Sequence, residues 1–300
     1  MKMRPLLLAS SVAILALTLS SCGKDGTGGS TASSCGVPAE ITTAQDVHVT
    51  DSAVFDKMKA RGHVVVGVKA DQPGLSYKDA SGNRCGFDFE TARLLSAGLG
   101  FDPNTVEYKE IPSANREVSI QAGEVDCYVG SYSITPPRLK QILFAGPYLE
   151  TGQSVLVRKD DDEITGKDSL LGHKVCGATG TNPIQLVKDQ GLTEPENVIE
   201  FKTGSECLSQ MLDGNVDAVT TDDAILKGWV TASPDDLKVV GETFTFEQYG
   251  IGLALSNESL RDEMNRVLDE ALNDGTWDRL YDNTLGKSGV PADHPTPGKY

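Results

Sequence analysis

An alternation of short apolar runs with helical periodicity, occurring twice, most constrains what this 300-residue chain can fold into. From residue 51 the first set reads helix 51–61, strand 64–68, helix from 87, strand 106–110, helix 115–122 and strand 125–133. Val64-Val65-Val66-Gly67-Val68 is apolar throughout, as in a strand covered on both faces. After Tyr148 the second set reads strands 154–158 and 174–177, helix 183–190, strand 198–201, helix 205–212, strand 217–221 and helix 223–230. Strands separated by helices predict largely parallel sheets with helices on their faces. Because the alternation restarts, two α/β lobes are expected rather than one sheet. Asp51 and Ser205 stand where helix caps are expected. Leu260, Met264, Val267, Leu268, Ala271 and Leu272 then recur at helical spacing within 257–281.

The two ends read differently. Lys2 and Arg4 precede an apolar run over 6–19 that is too short to span a bilayer comfortably. It ends in Leu19-Ser20-Ser21-Cys22, which resembles a lipobox, so residues 1–21 are expected to be a lipoprotein signal peptide and Cys22 the lipidated residue. An ordinary signal peptide before a chance cysteine is the alternative. Residues 22–50, rich in Gly, Ser and Thr over 23–34, are expected to form a flexible tether. No second apolar run of spanning length follows, so the rest is expected outside the cell. Residues 286–300 read as a loose C-terminal tail.

Acidic residues outnumber basic ones 43 to 27, for a net charge of −16, which argues against nucleic acid or anionic lipid as partners through bulk charge. The four histidines have no metal-ligand spacing, and no Ser/His/Asp set or phosphate loop is visible, so neither metal nor cofactor is expected. Five cysteines follow Cys22, and in an exported chain disulfides are the default. Cys176, in a predicted strand, and Cys207, at the start of a predicted helix in the same lobe, are the first expected pair. Cys85 with Cys127 is the second, and Cys35 is able to displace either partner.

Several segments carry a family resemblance. Residues 86–100 begin Gly86-Phe87-Asp88-Phe89-Glu90 and read as a strand end turning into an amphipathic helix. Ser133-Ile134-Thr135-Pro136-Pro137-Arg138 follows, then Phe144-Ala145-Gly146-Pro147-Tyr148 and, near the end, Gly275-Thr276-Trp277. Together they resemble the family 3 extracellular solute-binding proteins, amino-acid receptors of ATP-driven importers, over residues 51–285. The resemblance implies a two-lobed, type II periplasmic-binding-protein-like fold. Lobe 1 comprises 51–150 and a return segment 250–285, and lobe 2 comprises 151–249. Two strands form the hinge and ligand sits in the interlobe cleft.

The resemblance also implies a ligand set. An amino acid's carboxylate wants a planar donor pair, which Arg138 supplies, with Ser133 adding a hydroxyl and a backbone N–H. Pro137 departs from the acid usual at its place. The Ser131 carbonyl faces the ammonium. In Asp217-Ala218-Val219-Thr220-Thr221-Asp222-Asp223, Asp222 aligns with the acid that binds the ammonium, with Asp223 one place away as the alternative; both also suit helix capping. Thr181, with Asn182, in Ala178-Thr179-Gly180-Thr181-Asn182 is the expected carboxylate contact from lobe 2. Lys69 stands at the side-chain end, and Gln72 replaces the aromatic that usually stacks on ligand. Lys69 to Gly74 looks like a stretch of glutamate-binding members. The expected function is therefore a lipid-anchored receptor that presents L-glutamate or L-aspartate to an ABC transporter permease on the extracytoplasmic face of the membrane, and not an enzyme. A sensor for a membrane signalling partner, a glutamine receptor and a cyclohexadienyl-dehydratase-like enzyme stay open as alternatives.

Overall fold

The computed structural model describes residues 35, 38–290, 293–298 and 300. Cys22, the signal segment and most of the region read as a tether lie outside the described residues. Two five-stranded sheets organise the rest. The first has the order Glu107–Glu110, Val65–Val68, Cys127–Tyr128, Glu247–Leu253, Leu143–Thr151. The second has the order Val198–Phe201, Val175–Ala178, Ala218–Asp222, Gln153–Arg158, Leu237–Val240. In each, three strands are parallel, as the strand–helix alternation predicts. The fourth runs antiparallel to both of its neighbours. That reversal was not foreseen. It follows from the connection: strands Leu143–Thr151 and Glu247–Leu253 pair side by side, Glu247 opposite Thr151, where the chain passes to and from the second sheet. Thr245 Oγ1 accepts from the Gln153 amide at 2.8 Å, and the Phe244 amide donates to the Gln153 carbonyl at 3.0 Å, so the two crossings are stitched together.

The expected strand 125–133 is regular only over Cys127–Tyr128, with an isolated bridge from Ser133 to Tyr249 beyond it. Ser131 has φ of +45°, a left-handed conformation that turns the chain out of the sheet and into the cleft. A third, three-stranded sheet, Asp71–Gln72, Ser76–Lys78 and Arg84–Cys85, was also missed; its strands are too short for a period to show. Ser52, not Asp51, caps the first helix, and Thr203, not Ser205, caps the helix Gly204–Leu212 through a capping box with Glu206.

The segment beginning at Gly86 has a packing logic. Gly86 has φ of +118°, and a Cβ there would lie 2.0 Å from the Leu75 carbonyl oxygen. The helix Phe87–Gly98 that follows is buried over most of its circumference rather than on one stripe. Phe87 meets Trp277 edge-on at 5.4 Å, and Trp277 stacks on Tyr281 at 5.0 Å. Asp88 is fully buried and accepts from the Ser76 hydroxyl and from the Tyr148 hydroxyl, each at 2.7 Å. Leu260, Met264, Val267, Leu268 and Ala271 on the helix Glu258–Asn273 seal the same core.

Both ends of the described chain are held, which corrects two expectations. Residues 38–50 are not a free tether. Ala39, Ile41, Val47 and Val49 pack on the core, and the Ala44 amide donates to the Ala97 carbonyl at 2.9 Å. The tail is not loose either. Val290 is buried, the Gly298 amide donates to the Gly146 carbonyl at 2.8 Å, and the Phe144 amide donates to the Tyr300 carbonyl at 3.2 Å, along the edge of the first sheet. Cys176 is bridged to Cys207. Cys35, not Cys127, takes Cys85. Cys127 is a buried thiol in the central strand of the first sheet, 1% exposed, with its side chain in the core. Among the described residues no helix is long and apolar enough to cross a membrane.

Candidate functional site

A cavity of about 250 Å³ lies between the two sheets' lobes. All eight ligand residues named from the sequence line it: Lys69, Gln72, Ser131 and Ser133 with Arg138 on the first lobe, and Thr181, Asn182 and Asp222 on the second. Arg138 comes from the short helix Pro136–Leu139 and Asn182 opens the helix Asn182–Gln190, while most of the set reach it from strand ends and the turns that follow. In α/β sheets this is where side chains leave the covered layer and face outward.

On the second lobe, Asp222 closes the strand Ala218–Asp222 and stands at the N-cap of the helix Asp223–Ala232. Its carboxylate makes no capping bond. Instead Oδ2 accepts from the Tyr249 hydroxyl at 2.5 Å, while the buried Oδ1 has no hydrogen-bond partner among the described residues. Burial, and secondarily Glu247, raises the pKa of this carboxyl to about 7, against the opposing pull of the Tyr249 bond, Arg138 and Arg116. Asp223, the alternative, pairs instead with Lys227 at 2.7 Å on its own helix. Thr181 turns its hydroxyl to the Ala178 carbonyl at 2.7 Å, and Asn182 Nδ2 donates to Glu247 at 3.3 Å.

On the first lobe, Arg138 is 7% exposed. It donates from Nη1 to the Ser133 carbonyl at 2.7 Å and from Nη2 to the Gly180 carbonyl at 3.3 Å, with Glu117 at 3.4 Å from Nε. Each terminal nitrogen thereby keeps one N–H for another acceptor. Burial and the neighbouring Arg116 lower its pKa to about 10, so it stays charged. Ser131 Oγ donates to Gln72 Oε1 at 2.9 Å. The Ser131 carbonyl, expected toward an ammonium, accepts from Arg116 Nη1 at 3.4 Å. Lys69 Nζ donates to Ser113 Oγ at 2.5 Å, and burial, followed by the charge of Arg116, lowers its pKa to about 7.

Arg116 is the main residue that sequence reasoning missed. It is 2% exposed, lines the cavity, and its guanidinium lies 4.1 Å from the Tyr132 ring centre, with Arg138 on the same ring at 4.9 Å. Its Nη2 reaches the Gly180 carbonyl at 3.2 Å, so one carbonyl of the second lobe is held between two arginines of the first. A signal was present: an arginine opening the helix Arg116–Gln121 opposes the helix dipole. Trp229, also missed, supplies an aromatic wall from the second lobe, where Gln72 leaves none on the first. Nothing in its helical spacing separates it from a core tryptophan. Among the described residues no group of His, Cys, Asp or Glu is placed to hold a metal.

The first lobe's wall thus carries Lys69, Arg116 and Arg138, with Asp71 engaged by the Ser205 amide and Glu110 by Lys78 and Arg84, and the second lobe's wall carries Lys202 and the unpartnered carboxylate oxygen of Asp222. Residues 64–287 match the model of the bacterial extracellular solute-binding proteins, family 3. The glutamate-binding protein GluB of Corynebacterium efficiens is 37% identical, over 97% of this chain and 94% of its own. A glutamine-binding protein of Geobacillus stearothermophilus is also 37% identical, over 67% of this chain and 76% of its own. Among solved structures, the ancestral amino acid-binding protein AncCDT-1, a precursor of cyclohexadienyl dehydratase, superposes with a TM-score of 0.71 at 29% identity, covering 78% of this chain and all of that one.

Proposed function

The chain belongs to the family 3 bacterial extracellular solute-binding proteins, and on that premise we propose that it captures an acidic amino acid, L-glutamate or L-aspartate, in the cleft. The carrying observation is the division of charge across the cavity. Asp222 offers an unpartnered buried oxygen to an ammonium. Arg138, Arg116 and Lys69 offer donors to two carboxylates. An acidic amino acid carries this same set, one cation and two anions. Arginine would place its side-chain cation beside Lys69, Arg116 and Arg138, on a wall whose two carboxylates, Asp71 and Glu110, already have donors. The relative named for glutamate supports the same choice.

In this reading Arg138 and Ser133 take the α-carboxylate with Thr181 and Asn182 closing over it, Asp222 takes the ammonium, and Lys69, with Gln72 beside it, faces the side chain. Ser131 supports Gln72 and Arg116. The receptor is anchored to the extracytoplasmic face of the membrane through Cys22 and delivers its ligand to an ABC transporter permease. The relative named for glutamine favours L-glutamine as a second reading, for which Lys69 would be deprotonated.

Calorimetry of the purified chain against L-glutamate, L-aspartate, L-glutamine, L-arginine and L-leucine tests it. One of the two acids binds most tightly, and Arg138→Ala weakens that binding by roughly 2–5 kcal/mol, as when one half of a buried charge pair is removed. A preference for arginine overturns the assignment.

A further inference from the structure

We propose that Asp71, which also lines the cavity, is a positioning residue that latches the two lobes in the closed form and sets affinity through its bonds to the second lobe. Asp71 lies in the short strand Asp71–Gln72 of the first lobe. Its Oδ2 accepts the Ser205 amide of the second lobe at 3.1 Å, and its carbonyl accepts Trp229 Nε1–H at 3.0 Å.

The Ser205 amide is a donor with a vacancy in its own lobe. It lies in the first turn of the helix Gly204–Leu212, where amides have no partner within the helix. The capping box serves its neighbours: Thr203 Oγ1 accepts from Glu206, and Glu206 accepts from Thr203. Ser205 is left over, and the acceptor comes from across the cleft. A carboxylate at a helix N-terminus is a charge-assisted partner. Asp71 and Ser205 belong to different lobes, so the bond exists only when the lobes are together.

A second contact beside it depends on closeness alone. The Pro73 carbonyl sits over Gly228 in the helix Asp223–Ala232, where a Cβ would lie 2.1 Å from the oxygen. Gly228 does not line the cavity. Closure therefore has two fastenings: the Gly180 carbonyl between the arginines, and the Asp71-to-Pro73 turn against the helices carrying Ser205 and Gly228. An amino acid that binds the closed form draws on both, and weakening the second lowers every ligand's affinity by one factor.

The proposal rests on the cleft being that of an amino-acid receptor, and its test is read at the latch itself. Amide exchange at Ser205 is measured in the wild-type chain, Asp71→Ala, Asp71→Asn and Gly228→Ala, without ligand and with L-glutamate. L-Glutamate and L-glutamine affinities are measured in parallel. Asp71→Ala should speed Ser205 exchange and weaken both amino acids by a common factor of roughly 10 to 100, the worth of one hydrogen bond to a charged group. Asp71→Asn keeps an oxygen to accept the amide and should recover most of the loss. Gly228→Ala should lower both affinities from outside the cavity. Unchanged Ser205 exchange in Asp71→Ala overturns the latch. So does an Asn variant as impaired as the Ala variant, or a loss confined to one amino acid, since either makes Asp71 a ligand contact. A wild-type chain that ignores glutamate sinks the glutamate reading but leaves the exchange comparison standing.

Discussion

Asp222 and Lys69 sit on facing walls with pKa values moved toward each other from opposite sides, both to about 7 and both chiefly by burial. Their proton balance sets a pH dependence whose sign can be worked out. An ammonium needs Asp222 ionised, so acidification through pH 7 places a proton where the ligand's cation must go and weakens binding. A side-chain carboxylate needs Lys69 charged, so alkalinisation through pH 7 removes its partner and also weakens binding. L-Glutamate affinity should peak near pH 7 and fall by up to about tenfold per pH unit on each limb. Titrations from pH 5 to 9 check this. L-Glutamine, without the second carboxylate, should lack the alkaline limb, and Lys69→Met should remove that limb for glutamate. At this scale the sequence was read through motifs. Arg138 and Asp222 were legible because they sit in recognisable stretches. Arg116 was not, because its role arises from the Tyr132 ring and the Gly180 carbonyl, which only folding brings to it.

Among the elements, long periodic ones were legible and short or paired ones were not. The helix Glu258–Asn273 announces itself by apolar spacing, and Phe87–Gly98 by the motif that opens it. The two-residue strands beside the cleft carry no period, and strand direction follows from connections that a local pattern does not encode. The Cys176–Cys207 bridge was anticipated because both cysteines fall in one lobe. Whether Cys35 or Cys127 takes Cys85 is not legible, because the packing of residues 38–50 on the core leaves no periodic signal in the sequence. The bridge between the strand Val175–Ala178 and the helix Gly204–Leu212 closes a loop of 31 residues. Replacing both cysteines by serine should cost about 2–5 kcal/mol of stability by loss of that constraint on the unfolded chain. Denaturant unfolding measures it. Because Cys207 follows Ser205 closely on that helix, affinity for L-glutamate should fall as well.

The molecule as a whole is two sheets joined by two adjacent strands, with binding groups on both sides of the gap. Arg138, Arg116 and Lys69 cannot be used together with Asp222 unless the lobes meet. Ligand therefore shifts the population toward the closed form, in which Gly180 lies between the arginines. Small-angle scattering should give a smaller radius of gyration with saturating L-glutamate than without. An unchanged radius with binding demonstrated would mean that the free domain is already closed.

The course of the C-terminal tail along Leu143–Thr151 has a consequence for life at high density. A bare strand edge offers its amides and carbonyls to any passing chain and is a template for aggregation. Here the Tyr300 carbonyl and the Gly298 amide already occupy Phe144 and Gly146 on one edge of the first sheet. The opposite edge, Glu107–Glu110, carries Glu107, Lys109 and Glu110, with Lys78 and Arg84 each 2.9 Å from Glu110. One rim is closed by the chain itself and the other is guarded by charge. Copies at high concentration can then meet along the rims of the first sheet without one extending the other's sheet.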